Sequence, residues 1–108
     1  MDLRTRVSFK ARRGKYAGKF VPFNMNINSL EMYITVKTKG IKQTYVIPYD
    51  KIAKQMDKTR KALKKKGLRV YLKDIKPHIV SYYKESAKAT FSADIKTKKT
   101  IYDKTVVI

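Results

Sequence analysis

The sequence predicts an α+β fold: an antiparallel sheet of about five to six strands, packed against one long basic helix and a second, short helix. Three observations lead there. Apolar and polar residues alternate through most of the first half of the chain. The apolar spacing lengthens to that of a helix after Asp50. It returns to alternation from Ala87 onward. An OB-like barrel is the alternative architecture, because strands, one helix and a closing hairpin occur in a compatible order.

Taken in order, Leu3, Thr5, Val7 and Phe9 share one parity, with Arg4, Arg6 and Ser8 between them, which reads as a first strand. The basic stretch KARRGKYAGK over 10–19 then serves as a loop. Val21, Phe23, Met25 and Ile27 alternate with Pro22, Asn24, Asn26 and Asn28 and predict a second strand. Pro22 would place it at an edge, since proline donates nothing to a ladder. Leu30, Met32, Ile34 and Val36 alternate with Glu31, Tyr33, Thr35 and Lys37. If Lys39 and Gly40 make a two-residue turn, Val36 faces Gln43, Ile34 faces Tyr45 and Met32 faces Ile47. That leaves Tyr33, Thr35, Lys37, Lys42, Thr44 and Val46 on the other face.

Pro48 ends this strand, and Asp50 suits an N-cap. Ile52, Met56 and Leu63 lie within about 40° of one another on a helical wheel, and Gly67 stands where a C-cap glycine belongs. A helix over 51–66 follows. Residues 68–72 read as a short strand or a further helical turn. Ile75, Ile79, Val80 and Tyr83 fit a second helix with Asp74 as N-cap and Pro77 in its first turn, while a strand over 79–83 is the rival. Ala87, Ala89, Phe91, Ala93 and Ile95 alternate with polar residues and predict a strand. A turn over 97–99 leads to a last strand over 100–107.

Composition narrows the function. The chain has 108 residues, one domain's worth, with 27 Lys and Arg against 8 Asp and Glu, for a formal net charge of +19. That much charge repels itself, and a polyanionic partner would relieve the repulsion. There is no cysteine, so disulfides, thiolate chemistry and Cys-based metal sites are excluded, and no cofactor is implied. Residues 1–9 carry no apolar signal-like core, and no apolar run approaches the roughly 18–20 residues of a membrane span. A cytoplasmic protein with no membrane partner is the expectation. The bias toward Lys, Ile, Tyr and Asn points to an AT-rich source such as a phage or mobile element.

The strongest candidate site is the long helix. Lys51, Lys54, Lys58, Lys61 and Lys65 fall within an arc of about 80°, opposite the apolar stripe. Like charges at i,i+4 destabilise a helix by a few tenths of a kcal/mol per pair, so a row of them without Glu points to a polyanion. The plain alternative is lysine used as a good helix former. In the basic loop, Gly14 and Gly18 permit close backbone approach, Arg12, Arg13 and Lys15 offer charge to phosphate, and Tyr16 offers a stacking ring. The spacing is not that of a P-loop, and a solvated connection fits equally well. Tyr33 with Lys37 and Lys42 makes a stacking platform with basic flanks, if Tyr33 is not simply packing.

Catalysis has little support. His78 is the only histidine, so it forms no metal-binding His pair. Asp74, Asp94 and Lys96 loosely match one nuclease arrangement, as three such residues do by chance in most basic chains. A non-enzymatic nucleic-acid-binding protein, of DNA or RNA, is therefore expected. The alternative is a small phage or mobile-element protein that binds and inhibits a host enzyme, such as a restriction or CRISPR nuclease or its nucleic-acid complex.

Overall fold

Alternation in the first half becomes three antiparallel strands: β1 (Arg4–Ala11), β2 (Leu30–Thr38) and β3 (Ile41–Ile47). The computed structural model describes residues 3–23, 25–99 and 105–108. The hairpin register is the expected one, with Val36 opposite Gln43, Ile34 opposite Tyr45 and Met32 opposite Ile47. Lys39 and Gly40 both have positive φ, 46° and 81°, as the tight turn requires. The helices are α1 (Tyr49–Lys65) and α2 (Leu72–Lys96). A short strand, β4 (Thr105–Val107), pairs parallel with β3. Among the described residues the sheet is therefore mixed and has four strands in the order β1-β2-β3-β4. It is open, with β1 and β4 at opposite edges, so the barrel alternative fails along with the count of five to six and the wholly antiparallel pairing.

Two predicted strands are not strands. Val21 and Phe23 lie against β1 without forming a ladder. The Val21 N–H donates to the Phe9 carbonyl at 3.2 Å, and the Phe23 ring packs on Phe9 at a centroid distance of 4.8 Å. Asn26 then accepts from the Asn28 N–H at 3.0 Å and opens a 3₁₀ turn at Ile27–Ser29. Asn side chains that bond local backbone compete with a ladder, and Pro22 has no N–H to give. Asn24 lies outside the described residues.

The strand predicted from Ala87 to Ile95 is the second half of α2, which is 25 residues long rather than short. Ile75, Ile79, Tyr83, Ala87 and Phe91 recur every four residues, and all are buried. Ala89 and Ala93, which completed the apparent alternation, are exposed. Alanine is apolar by type yet an excellent helix former, and its position here follows propensity rather than burial. Of the last predicted strand, 100–104 lie outside the described residues.

Helix ends also differ from expectation. Pro48, not Asp50, is the N-cap of α1, and its carbonyl accepts from the Ile52 N–H at 3.2 Å. Asp50 sits in the first turn, where a carboxylate complements the helix dipole. Tyr71, not Asp74, is the N-cap of α2, and Asp74 reaches back to accept from the Tyr71 N–H at 3.3 Å. Pro77 lies inside α2, beyond the first turn. The C-end of α1 closes as expected, with Gly67 at φ 77°. Its N–H donates to the Lys64 carbonyl at 2.9 Å while the Leu68 N–H donates to Leu63 at 3.1 Å, the double closure of a Schellman motif.

Both helices cover one face of the sheet. Phe9, Leu30, Met32, Ile34, Val36, Tyr45 and Ile47 meet Ile52, Met56, Ile79 and Phe91 in a single core. One phenol ties the sheet to α2 and another ties the two helices together. Tyr45 donates to Asp94 Oδ2 at 2.9 Å, and Tyr83 donates to the Lys51 carbonyl at 3.0 Å. The opposite face lies away from both helices, although Val46 on it is buried.

Candidate functional site

The buried stripe of α1 is Ile52, Met56 and Leu63. Packing it against the core turns Lys51, Lys54, Lys58, Lys61 and Lys65 outward, and all five are exposed. Lys51 is partly engaged, since its Nζ donates to the Ile108 carbonyl at 2.6 Å. Lys51, Lys54 and Lys58 also line a groove of about 290 Å³ between the helices, whose other wall includes Tyr82, Ser86 and Thr90. Tyr82 is 50% exposed, so an aromatic ring stands beside the lysine row.

The basic loop is a closed, hydrogen-bonded excursion from the edge of the sheet. The Ala11 N–H donates to Lys19 at 3.1 Å, the Gly18 N–H to Ala11 at 2.8 Å and the Ala17 N–H to Gly14 at 3.1 Å. Gly14 and Gly18 have φ of 83° and 78°, a conformation that other residues adopt at a cost. The guanidinium groups of Arg12 and Arg13 lie 4.4 and 5.6 Å from the centre of the Tyr49 ring, at the start of α1. These contacts hold the two arginines near the end of the helix that carries Lys51. Lys15 covers the Tyr16 ring at 5.1 Å, and both residues are exposed.

Tyr33, Lys37 and Lys42 lie on the uncovered face of the sheet, as their parity requires. Register adds more there. Arg4, Lys37 and Lys42 stand side by side on three adjacent strands. The next row holds Arg6, Thr35 and Thr44, with the two threonine hydroxyls 3.1 Å apart. The row after it holds Ser8, Tyr33 and Val46. At the far end Lys10 pairs with Glu31 and, through an isolated bridge, with Phe20. The Lys10 ammonium sits between two rings, 4.8 Å from Phe20 and 4.9 Å from Tyr33. Tyr33 donates to Glu31 Oε2 at 3.0 Å. Burial, then that hydrogen bond and the carboxylate charge, push its phenol above the ordinary value.

The predicted residues thus divide into two surfaces. Lys54, Lys58, Lys61 and Lys65 lie opposite the buried stripe of α1, Lys51 reaches the end of β4 through Ile108, and Tyr33, Lys37 and Lys42 point away from the helices. The molecule is thin, with a shortest Cα extent of 18 Å, and the two surfaces lie on its opposite sides. The nuclease-like trio is not assembled. Asp74 and Asp94 stand about 30 Å apart along α2, and Asp94 is engaged by Tyr45. His78 is exposed on α2.

Arg4, Arg6, Lys10 and Phe20 escaped attention because alternation was used to find the apolar face, and the same parity identifies what the other face carries. Tyr82 lies within the predicted second helix, but only the packing of α2 beside α1 brings its ring next to the lysine row. No protein-family model, no curated protein and no solved structure matches the chain, so the geometry alone carries the functional reading.

Proposed function

We propose that this protein binds nucleic acid without acting on it chemically, holding phosphates with the lysine row of α1 and with Arg12 and Arg13 at its start. The observation that carries this reading is the row itself: Lys54, Lys58, Lys61 and Lys65 are all exposed, opposite a buried stripe. The pairs Lys54–Lys58 and Lys61–Lys65 repel at i,i+4, a cost that a line of phosphates would offset. Lys51 to Lys65 spans about 21 Å of helix axis, so three or four of the five reach one phosphate backbone. Lysine contributes point charges rather than planar forks. Binding is therefore a matter of affinity, with little discrimination among bases.

The test is the Lys54→Gln/Lys58→Gln/Lys61→Gln variant, compared with wild type by fluorescence anisotropy on random duplex DNA. Three lost contacts flatten the dependence of log K on log salt by about 2.7 and weaken low-salt binding at least tenfold. Unchanged binding would refute the assignment of the row. A pull-down from the source cells, with and without nuclease, separates this reading from a protein target. Loss of all partners after digestion supports it, and a protein partner that survives digestion contradicts it.

A further inference from the structure

We infer that the uncovered face of the sheet is a second binding surface, and that it takes single-stranded nucleic acid with its bases unpaired. The inference rests on the proposed nucleic-acid function and adds the class of ligand that α1 does not specify. Three observations support it. First, the face is charged in an ordered way. Arg4, Lys37 and Lys42 form one cross-strand row, with strands about 4.8 Å apart, and Arg6 stands in the next row. Arg6 and Lys37 are exposed on this face and bring positive charge to it from two adjacent strands.

Second, the opposite end of the face is aromatic. Phe20 is 67% exposed, and its bridge to Lys10 puts its ring on the uncovered side. Tyr33 is held in place by Glu31 and covered on one side by Lys10. Lys10 lies over Phe20 as well, but Phe20 is the far more exposed of the two rings and keeps one face open to stacking. From the Arg4 row to the Tyr33 row is about 13 Å along the strands, and the paired hydroxyls of Thr35 and Thr44 lie between.

Third, cations at one end and an open ring at the other match the two halves of an unpaired strand, its phosphates and its bases. In a duplex the bases are stacked within the helix and offer no free face to Phe20. On α1 the exposed Tyr82 stands in a groove among the lysines rather than at the far end of them, and duplex suits that row as well as single strands.

The probes are labelled oligothymidylate and oligouridylate of about a dozen nucleotides, with a duplex of the same length, titrated by anisotropy. Phe20→Ala is expected to weaken binding of both single strands about tenfold and leave duplex binding unchanged. Arg6→Gln/Lys37→Gln should flatten the salt dependence on single strands by about 1.4. In the unaltered chain, an oligonucleotide carrying photoreactive 5-iodouracil should crosslink to Phe20 or Tyr33. The inference is overturned if crosslinks fall only within 51–65, or if both sheet variants bind single strands like wild type while the α1 triple variant does not; the α1 reading then stands. It is also overturned if wild type sediments as a dimer that Phe20→Ala dissociates, which would assign the face to a second copy. Failure of wild type to bind any probe at low salt overturns both readings together.

Discussion

Two substitutions two residues apart on α1 should have opposite consequences. Met56 is 4% exposed and belongs to the core stripe, whereas Lys58 is exposed and belongs to the lysine row. Met56→Asp places a carboxylate in the apolar core stripe beside Ile27, Val70 and Ile75, with Arg60 at the rim of the same cavity. Burying such a charge costs several kcal/mol, and the lost packing of the thioether adds about 2 kcal/mol or more. The whole domain has about 5–15 kcal/mol of stability, and self-repulsion at +19 places it toward the lower end, so Met56→Asp should leave much of the protein unfolded. Lys58→Glu reverses a charge flanked by Lys54 at i−4 and Lys61 at i+3. Two repulsive pairs become attractive, each changing by about 0.4–1 kcal/mol on the scale of helix ion pairs. The net gain is about 1 kcal/mol, which raises Tm by about 4 °C, while affinity for nucleic acid falls. Circular dichroism melting of the three proteins, with anisotropy on the same samples, measures both quantities. Equal loss of stability in the two variants, or a lower Tm for Lys58→Glu, would refute the assignment of helix faces.

Gly67→Ala meets no atom within 4 Å, so its cost is conformational alone, and the φ of 77° should lower stability by about 1 kcal/mol in urea unfolding. No measurable change would contradict the Schellman closure of α1. Tyr83 is pushed up to about 12 from the ordinary 10.0 by burial and, secondarily, by Tyr82 beside it. A raised folded value means that the native state holds the proton more tightly. This contribution is complete below pH 10 and is lost as pH rises from 10 through about 12. Tyr83→Phe, which gives up the hydrogen bond to Lys51, should be about 1 kcal/mol less stable than wild type near neutrality. The difference should shrink across that alkaline window, and a constant difference would contradict the burial argument.

The hairpin was legible because its two signals agree: strict alternation and a Lys-Gly turn whose length sets the register. α1 was legible for a similar reason, since its stripe, its lysine row and Gly67 all indicate the same element. The errors arose where one residue type fits two patterns. Val21, Phe23 and Met25 alternate as a strand would, yet Pro22 has no N–H for a ladder and the Asn26 side chain bonds the local backbone. Ala89 and Ala93 mimic a strand face, while the four-residue recurrence from Ile75 to Phe91 carries the burial. The parallel pairing of β4 has no local sequence signal, because register between strands distant in the chain is set by the packed core. Of the site, the rows of lysine on α1 and of Lys37 and Lys42 on the sheet followed from periodicity. Their placement on opposite sides, and the gathering of Arg4, Arg6 and Phe20 beside the second, needed the three-dimensional pairing.

The salt dependence of binding to random-sequence duplex DNA tests the central claim most directly. Three α1 lysines with Arg12 and Arg13 neutralise about five phosphates, and the slope of log K against log salt should be about −4.5. The same slope and nearly the same affinity should be found for unrelated sequences, since phosphate contacts carry no base information. A slope near zero, or no binding at low salt, would contradict the account.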